Sequence, residues 1–213
     1  MNYNSELPIT IENNLLRTYM VGSMESPAQK DGGVPWRQRL TPELNSRGIY
    51  AFDPTRMEMD KIQMPSEEFL DKLTGWQLSG NWHLFIKNMR KIWTGCTYLM
   101  KDDKGNVNQV TKIGDVGYVE NSNFLICHYD AGDKLGGTIA EITISWYRGI
   151  PVYLITEAPK SQINKSVLFF ILDSGNEQGK IFPNQSQLLE FLDKKYSLKV
   201  KKIKEHIWKQ ESH

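Results

Sequence analysis

The sequence predicts an α/β domain built on a mostly parallel sheet of about five strands. Two observations carry this. Short, continuous apolar runs recur along the chain, as in Phe124-Leu125-Ile126-Cys127 and Val152-Tyr153-Leu154-Ile155. Runs without polar alternation fit strands covered on both faces, as in a parallel sheet. Between the runs lie stretches with helical spacing, and strands alternating with helices give the βαβ pattern.

The first strand is Thr18-Tyr19-Met20-Val21-Gly22-Ser23, partly β-branched and ending in Gly-Ser. Met24 to Pro35 holds Pro27, Gly32, Gly33 and Pro35 and reads as a loop. Its length for a compact domain points to function. Trp36 to Ser46 is a helix with Leu40 and Leu44 on one face, and Gly48 suits its C-terminal cap. Ile49 to Phe52 is the second strand, stopped by Asp53-Pro54. A short helix begins at Pro65-Ser66. Leu78 to Ile92 reads as one amphipathic helix, with Trp82, Phe85, Ile86, Met89 and Trp93 forming a stripe expected to lie in the core. Lys101 to Asn106 is a polar turn. Asp115 to Asn121 is a short helix, Phe124 to Cys127 a strand, Ile139 to Tyr147 a helix stopped by Gly149, and Val152 to Ile155 a strand. A further apolar run covers Val167 to Leu172, and Gln185 to Lys195 is an amphipathic helix.

Composition narrows the function. The chain has 213 residues, 26 Lys plus Arg and 25 Asp plus Glu, for a net charge of +1. That balance opposes a dedicated duplex-DNA binder, which needs a basic surplus. The length fits one domain. No apolar run reaches the ~18–20 residues that span a bilayer, and the N-terminus does not read as a signal peptide, so a cytoplasmic protein with no membrane partner is expected. Cys96 and Cys127 lack metal-ligand spacing and are expected as buried thiols; no metal is expected. The basic stretch from Lys194 to Lys204 reads as a solvated helix or tail, nucleic-acid contact being the alternative.

Ligands in parallel α/β sheets bind beyond the carboxyl ends of strands. That rule selects the loops after Val21, Phe52 and Cys127. The strongest chemistry-bearing segment is Gly136-Gly137-Thr138-Ile139-Ala140-Glu141. Two glycines allow close approach of a ligand to backbone. Thr138 and Glu141 also have the spacing of a helix capping box, the ordinary reading of such a pair. Asp115 opens the helix that leads into the strand ending at Cys127, so two carboxylates can flank one crevice and divide acid and nucleophile roles. An N-cap is the ordinary reading of Asp115. His83 reads as structural, and His128 ends a strand beside Asp130. Arg37, Arg39 and Arg56 are near enough in sequence to the first two loops to meet a phosphate, surface ion pairs being the alternative.

These motifs resemble a family. Tyr19-Met20-Val21-Gly22-Ser23, the segment Gly114 to Ile126, and Gly137-Thr138-Ile139-Ala140-Glu141-Ile142 followed by Gly149-Ile150-Pro151-Val152 are similar in order and spacing to nucleoside 2-deoxyribosyltransferase-like proteins, which include the 2'-deoxynucleoside 5'-phosphate N-hydrolases. The likeness covers roughly residues 17–53 and 113–157. It implies a Rossmann-like (flavodoxin-like) three-layer sandwich over residues 1–213, with an insertion around 54–112 and a basic helix or tail at 197–213. It implies an enzyme that cleaves or transfers the N-glycosidic bond of a (deoxy)nucleoside or nucleoside 5'-monophosphate without a cofactor. Glu141 is then the nucleophile, Asp115 holds or protonates the departing base, and Tyr19 orients the nucleophile. Gly22, Ser23, Met24, Asp53, Asp130, Gly137 and Thr138 are the substrate-binding candidates. A homo-oligomer is implied as well. The chain departs from the family pattern at Asn123, where an acidic residue is common, and at Leu135, where a polar group is common; Asp130 or Asp133 are candidates to supply the latter contact. Hydrolase and transferase stay open, and the alternative is a non-catalytic nucleotide-binding or sensing module on the same fold.

Overall fold

The computed structural model describes residues 15–23, 34–56, 66–101, 104–130 and 135–198. Met24, Asp133, most of the loop after Ser23 and the basic tail beyond residue 198 lie outside the described residues.

Strand β1 (Leu16–Gly22) sends Tyr19 and Val21 to one face and Met20 to the other, the period of two that a pleated strand imposes. Helix α1 (Val34–Ser46) returns the chain to β2 (Ile49–Phe52), which pairs in parallel with β1. The chain then leaves the sheet. Helices α2 (Ser66–Leu78) and α3 (Trp82–Thr94) precede an antiparallel hairpin of β3 (Gly95–Lys101) and β4 (Val107–Ile113). It rejoins through α4 (Asp115–Glu120) and β5 (Phe124–His128), which lies parallel to β1 on its other side. Helix α5 (Gly136–Tyr147), β6 (Val152–Ile155), α6 (Lys165–Glu177), β7 (Lys180–Phe182) and α7 (Gln185–Lys195) complete the fold.

The sheet order is β2-β1-β5-β6-β7, with every neighbouring pair parallel. With the hairpin set aside this is the flavodoxin-like arrangement, whose order reverses between β1 and β5. Helices α4, α5 and α6 bury Tyr118, Val119, Ile142, Val167 and Ile171 against one face. Helices α1 and α7 bury Trp36, Leu40, Leu44, Leu188 and Leu192 against the other. The result is a three-layer α/β/α sandwich, as the sequence predicts. Asn123 is structural: its side chain accepts from the Arg17 backbone N–H at 2.8 Å and its own N–H donates to Arg17 O, which pins the start of β1.

Several elements differ from the expectation. The helix expected from Leu78 to Ile92 is α3 and starts only at Trp82: Leu78 ends α2, Gly80 takes φ +68° between them, and Asn81 caps α3 by accepting from Leu84 N–H. Its apolar stripe is not core throughout. Ile92 is buried with Phe69 and Leu73 in a small satellite cluster, whereas Trp82 and Ile86 are 56% and 51% exposed. His83 is exposed on the same helix rather than packed. The apolar run Val167–Leu172 is helical and belongs to α6, and the fifth strand is the three-residue β7. Cys127 is buried, Cys96 only half-buried, and neither is in a disulfide.

The excursion is tied to the sandwich by backbone contact. Gly95, at φ +88°, and Gly114 lie so close that a side chain on either would strike the other's main chain. Glycine is required there because the two backbones leave no room for a Cβ. Gly114 immediately precedes Asp115, so this contact also fixes where α4 begins.

Candidate functional site

The candidate site lies toward the carboxyl edge of the sheet, where the strand order reverses between β1 and β5. Tyr19, fully buried on β1, donates its hydroxyl to Glu141 Oε1 on α5 at 2.9 Å, across 122 residues of chain. The Glu141 residue is 9% exposed, so little of it reaches solvent. The capping-box expectation is overturned here. Helix α5 starts at Gly136, with Leu135 as N-cap and no side-chain cap bond. Thr138 is therefore already inside the first turn, where it cannot cap, and Glu141 points to Tyr19 instead of back to its own helix end. Leu135, half-buried, packs on the core.

Asp115 takes the first position of α4, after Gly114 as N-cap, and is 3% exposed. It is not the N-cap residue itself. Tyr118 lies one turn further along the same face. Its ring stacks on Tyr19, with centroids 6.1 Å apart and planes 8° from parallel, and packs against Phe52. Tyr118, Tyr19 and Glu141 thus form one chain of buried contacts, and Asp115 lies one turn before Tyr118 on α4.

The carboxyl end of β1 is held by Arg37. This arginine is fully buried, donating Nε to Met20 O at 3.3 Å and Nη2 to Gly22 O at 3.1 Å, with Asp53 3.8 Å away. Burial pushes its pKa below the ordinary value, and the nearby Asp53, Tyr19 and Glu141 push it back. Asp53 also accepts from Thr55 N–H at 3.0 Å and Thr55 Oγ1 at 2.7 Å, closing the turn after β2. Arg37 and Asp53 therefore tie the end of β1 to the turn after β2, an ion pair that fits the salt-bridging reading of this arginine but is buried rather than on the surface. Arg39 and Arg56 are exposed.

On the β5 side, His128 stacks on Trp36 with centroids 5.1 Å apart, and its Nδ1 lies 3.9 Å from Asp130. Trp36 also lies under the Arg37 guanidinium, 4.5 Å from the ring centroid. A Cβ on Gly22 would meet His128 O at 3.1 Å and Trp36 at 3.3 Å. A larger residue at Gly22 would wedge β1 away from α1. Ser23 is buried at the tip of β1, where the chain enters the loop. Gly137 packs against the indole of Trp93, the last aromatic of α3, with a notional Cβ 3.7 Å from the ring.

The sequence-predicted residues Tyr19, Gly22, Ser23, Asp53, Asp115, Asp130, Gly137, Thr138 and Glu141 all fall on β1, on the turns after β2 and β5, or at the starts of α4 and α5. Trp36 and Trp93 were missed as site neighbours. For Trp36 the signal was its place directly before Arg37 on a helix that follows the β1 loop. Trp93 gives no such signal, because its approach to Gly137 depends on the packing of the excursion. Among the described residues, no group of three or more His, Cys, Asp or Glu residues could hold a metal ion, and no helix is long and apolar enough to cross a membrane.

No family model matches the chain and no curated relative matches it. Among solved structures, a conserved protein from Enterococcus faecalis V583 aligns with a TM-score of 0.48 at 13% identity, covering 85% of this chain and 99% of that one. A 2-deoxyribosyltransferase from Bacillus psychrosaccharolyticus aligns with a TM-score of 0.45 at 14% identity, covering 81% of this chain and 90% of that one. At these values neither structure assigns an activity to this chain.

Proposed function

We propose that this chain cleaves or transfers the N-glycosidic bond of a (deoxy)nucleoside or nucleoside 5'-monophosphate through a glycosyl-enzyme on Glu141. The observation that carries the reading is the buried hydrogen bond from the Tyr19 hydroxyl to Glu141 Oε1. A carboxylate inside a core needs partners to stay ionised, and a tyrosine hydroxyl is one that also fixes its direction. The order of the Tyr19, Asp115 and Glu141 motifs along the chain supports the same reading.

The chemistry follows the logic of retaining glycosidases. A Glu141 oxygen bonds to the anomeric carbon as the carbon–nitrogen bond breaks, and the base leaves with the electron pair. Asp115, at the other border of the crevice, holds the base and protonates it as it departs. General acid help of this kind contributes typically ~10²–10⁴-fold. In the second step water or another base attacks the anomeric carbon, Asp115 takes back the proton that the attacking group loses, and Glu141 leaves as carboxylate. Arg37 keeps Gly22 and the end of β1 in place, and Ser23, Thr138 and Asp130 are assigned as polar contacts to the sugar and base. Binding alone would not call for a nucleophile held in this way, which supports the enzyme over a sensing module.

The test is chromatographic. The protein is incubated with deoxyribo- and ribonucleosides and their 5'-monophosphates, with and without a second base, beside Glu141→Gln. Free base released by the parent and lost in the variant supports the reading, and product formed only with a second base identifies a transferase. Nucleotide binding unchanged by Glu141→Gln, with no release from any substrate, sinks it in favour of the sensor.

A further inference from the structure

We propose that Trp93, carried on the excursion between β2 and β5, is the stacking platform for the nucleobase. The inference rests on the reading above and adds to it a residue that sets which base is preferred. Trp93 ends α3, and its main chain lies against Gly114, the residue before Asp115. Its indole lies against Gly137 at the start of α5. Gly137 and Glu141 are four residues apart, hence on one face of the helix. The ring therefore lies one helical turn before Glu141, while the main chain of the same residue abuts Gly114, which leads into Asp115. Those two carboxylates act on opposite ends of the bond to be broken, and the base extends from the Asp115 side.

The other aromatics of the excursion have different tasks. Trp76 and Phe85 pack on the satellite cluster of Phe69, Leu73 and Ile92, and Trp82 faces outward. Trp93 belongs to none of the hydrophobic clusters and is only half-buried. A large, half-buried ring beside the start of α5, outside the core clusters formed by the described residues, is poorly explained as filler. Gly137 fits this arrangement, since a longer side chain there would press on the ring. Every base has a π-face, so a stacking platform selects by ring area rather than by hydrogen-bond pattern, and a purine gains more than a pyrimidine.

The experiment compares the parent with Trp93→Leu and Trp93→Phe. Binding of free adenine and free thymine is measured by calorimetry, and base release from deoxyadenosine and thymidine by chromatography. Thermal melting confirms that each variant folds. Trp93→Leu should weaken adenine binding and raise KM for deoxyadenosine on the order of 5- to 150-fold, the range for loss of one stacked base. The loss should be smaller for thymine and thymidine, kcat should stay within about 2-fold, and Trp93→Phe should recover most of the deficit. A residue that only supports the fold would lower kcat for both substrates alike and would not be rescued selectively. Parent-like adenine binding by a folded Trp93→Leu overturns the inference while leaving the glycosidic reading intact. If the parent releases no base, the glycosidic reading fails, and Trp93-dependent adenine binding then supports the platform alone. Failure of the parent to bind either base overturns it.

Discussion

Replacing Tyr19 by Phe removes one hydroxyl and keeps the buried ring with its stacking on Tyr118. What is lost is the bond to Glu141 Oε1. Hydrogen bonds to charged groups contribute about 1.5–3 kcal/mol. The 2.9 Å separation is longer than the ~2.5–2.7 Å of strong O–H···O⁻ bonds, so the lower part of that range applies, about 1.5–2 kcal/mol. The two chemical steps do not share this loss equally. When Glu141 attacks, its negative charge is being spent, and the donor holds back the ground state while positioning the oxygen. When the glycosyl-enzyme breaks down, the charge returns to Glu141 and the Tyr19 hydroxyl stabilises it. Breakdown should therefore slow by ~10–30-fold, while formation changes less. Rapid-quench measurement of base release should show a burst in Tyr19→Phe, and intact-protein mass spectrometry should show the added sugar on the Glu141 peptide. Turnover equal to the parent, with no burst and no adduct, would refute the reasoning.

Three further outcomes follow from the geometry. Arg37→Met leaves Asp53 without its buried counter-charge and two strand carbonyls without a donor, and should cost about 3–5 kcal/mol in denaturant unfolding; adding Asp53→Asn should return part of it, and a loss under about 1 kcal/mol would mean the buried ion pair is not structural. Trp82→Gln and Ile86→Gln should each change stability by no more than about 0.5 kcal/mol, because both side chains face outward, whereas Ile92→Ala should cost about 2 kcal/mol or more. Burial raises the pKa of Tyr153, Tyr196 and Tyr50 above the usual 10.0. Their stabilising contribution is complete below pH 10.0 and is lost above it, as the unfolded tyrosines ionise and the folded ones keep their protons. Lys195, lowered by burial and by Lys180, acts in the opposite direction up to 10.5. Urea midpoints at rising alkaline pH should fall for the parent and fall less steeply for Tyr153→Phe, and parallel slopes would contradict the assignment.

The central strands were legible because β1, β5 and β6 are covered on both sides, which leaves unbroken apolar runs in the sequence. The hairpin was not, since much of β4 is exposed and polar, and β7 is three residues long. The Thr138–Glu141 spacing misled because a capping box is a local pattern, and the partner that claims Glu141 is 122 residues away. Motif order names Tyr19 and Glu141 together, and these two share a buried hydrogen bond. Arg37 was visible as an arginine near the right loop, but nothing local marks a guanidinium that turns inward to bind strand carbonyls. The stripe on α3 has helical periodicity, yet periodicity does not say which apolar side chains find a neighbour, and Trp82 and Ile86 find none that buries them.

Tyr19 pairs in register with Leu125, so the sheet closes a chain segment of 106 residues before its central strands meet. Closure entropy grows only with the logarithm of that length, by about 0.6 kcal/mol for each doubling. Without the excursion the segment would be roughly half as long, so the whole detour costs the fold on the order of 0.6 kcal/mol in closure. Polymer statistics thus leave this stretch of chain almost unrestricted in length. The strict condition is at its exit, where two glycine backbones touch and the register of the first turn of α4 is set. Length changes among the helices or in the hairpin turn should be absorbed with little loss, while a single methyl group at Gly114 should displace the start of the helix that carries Asp115.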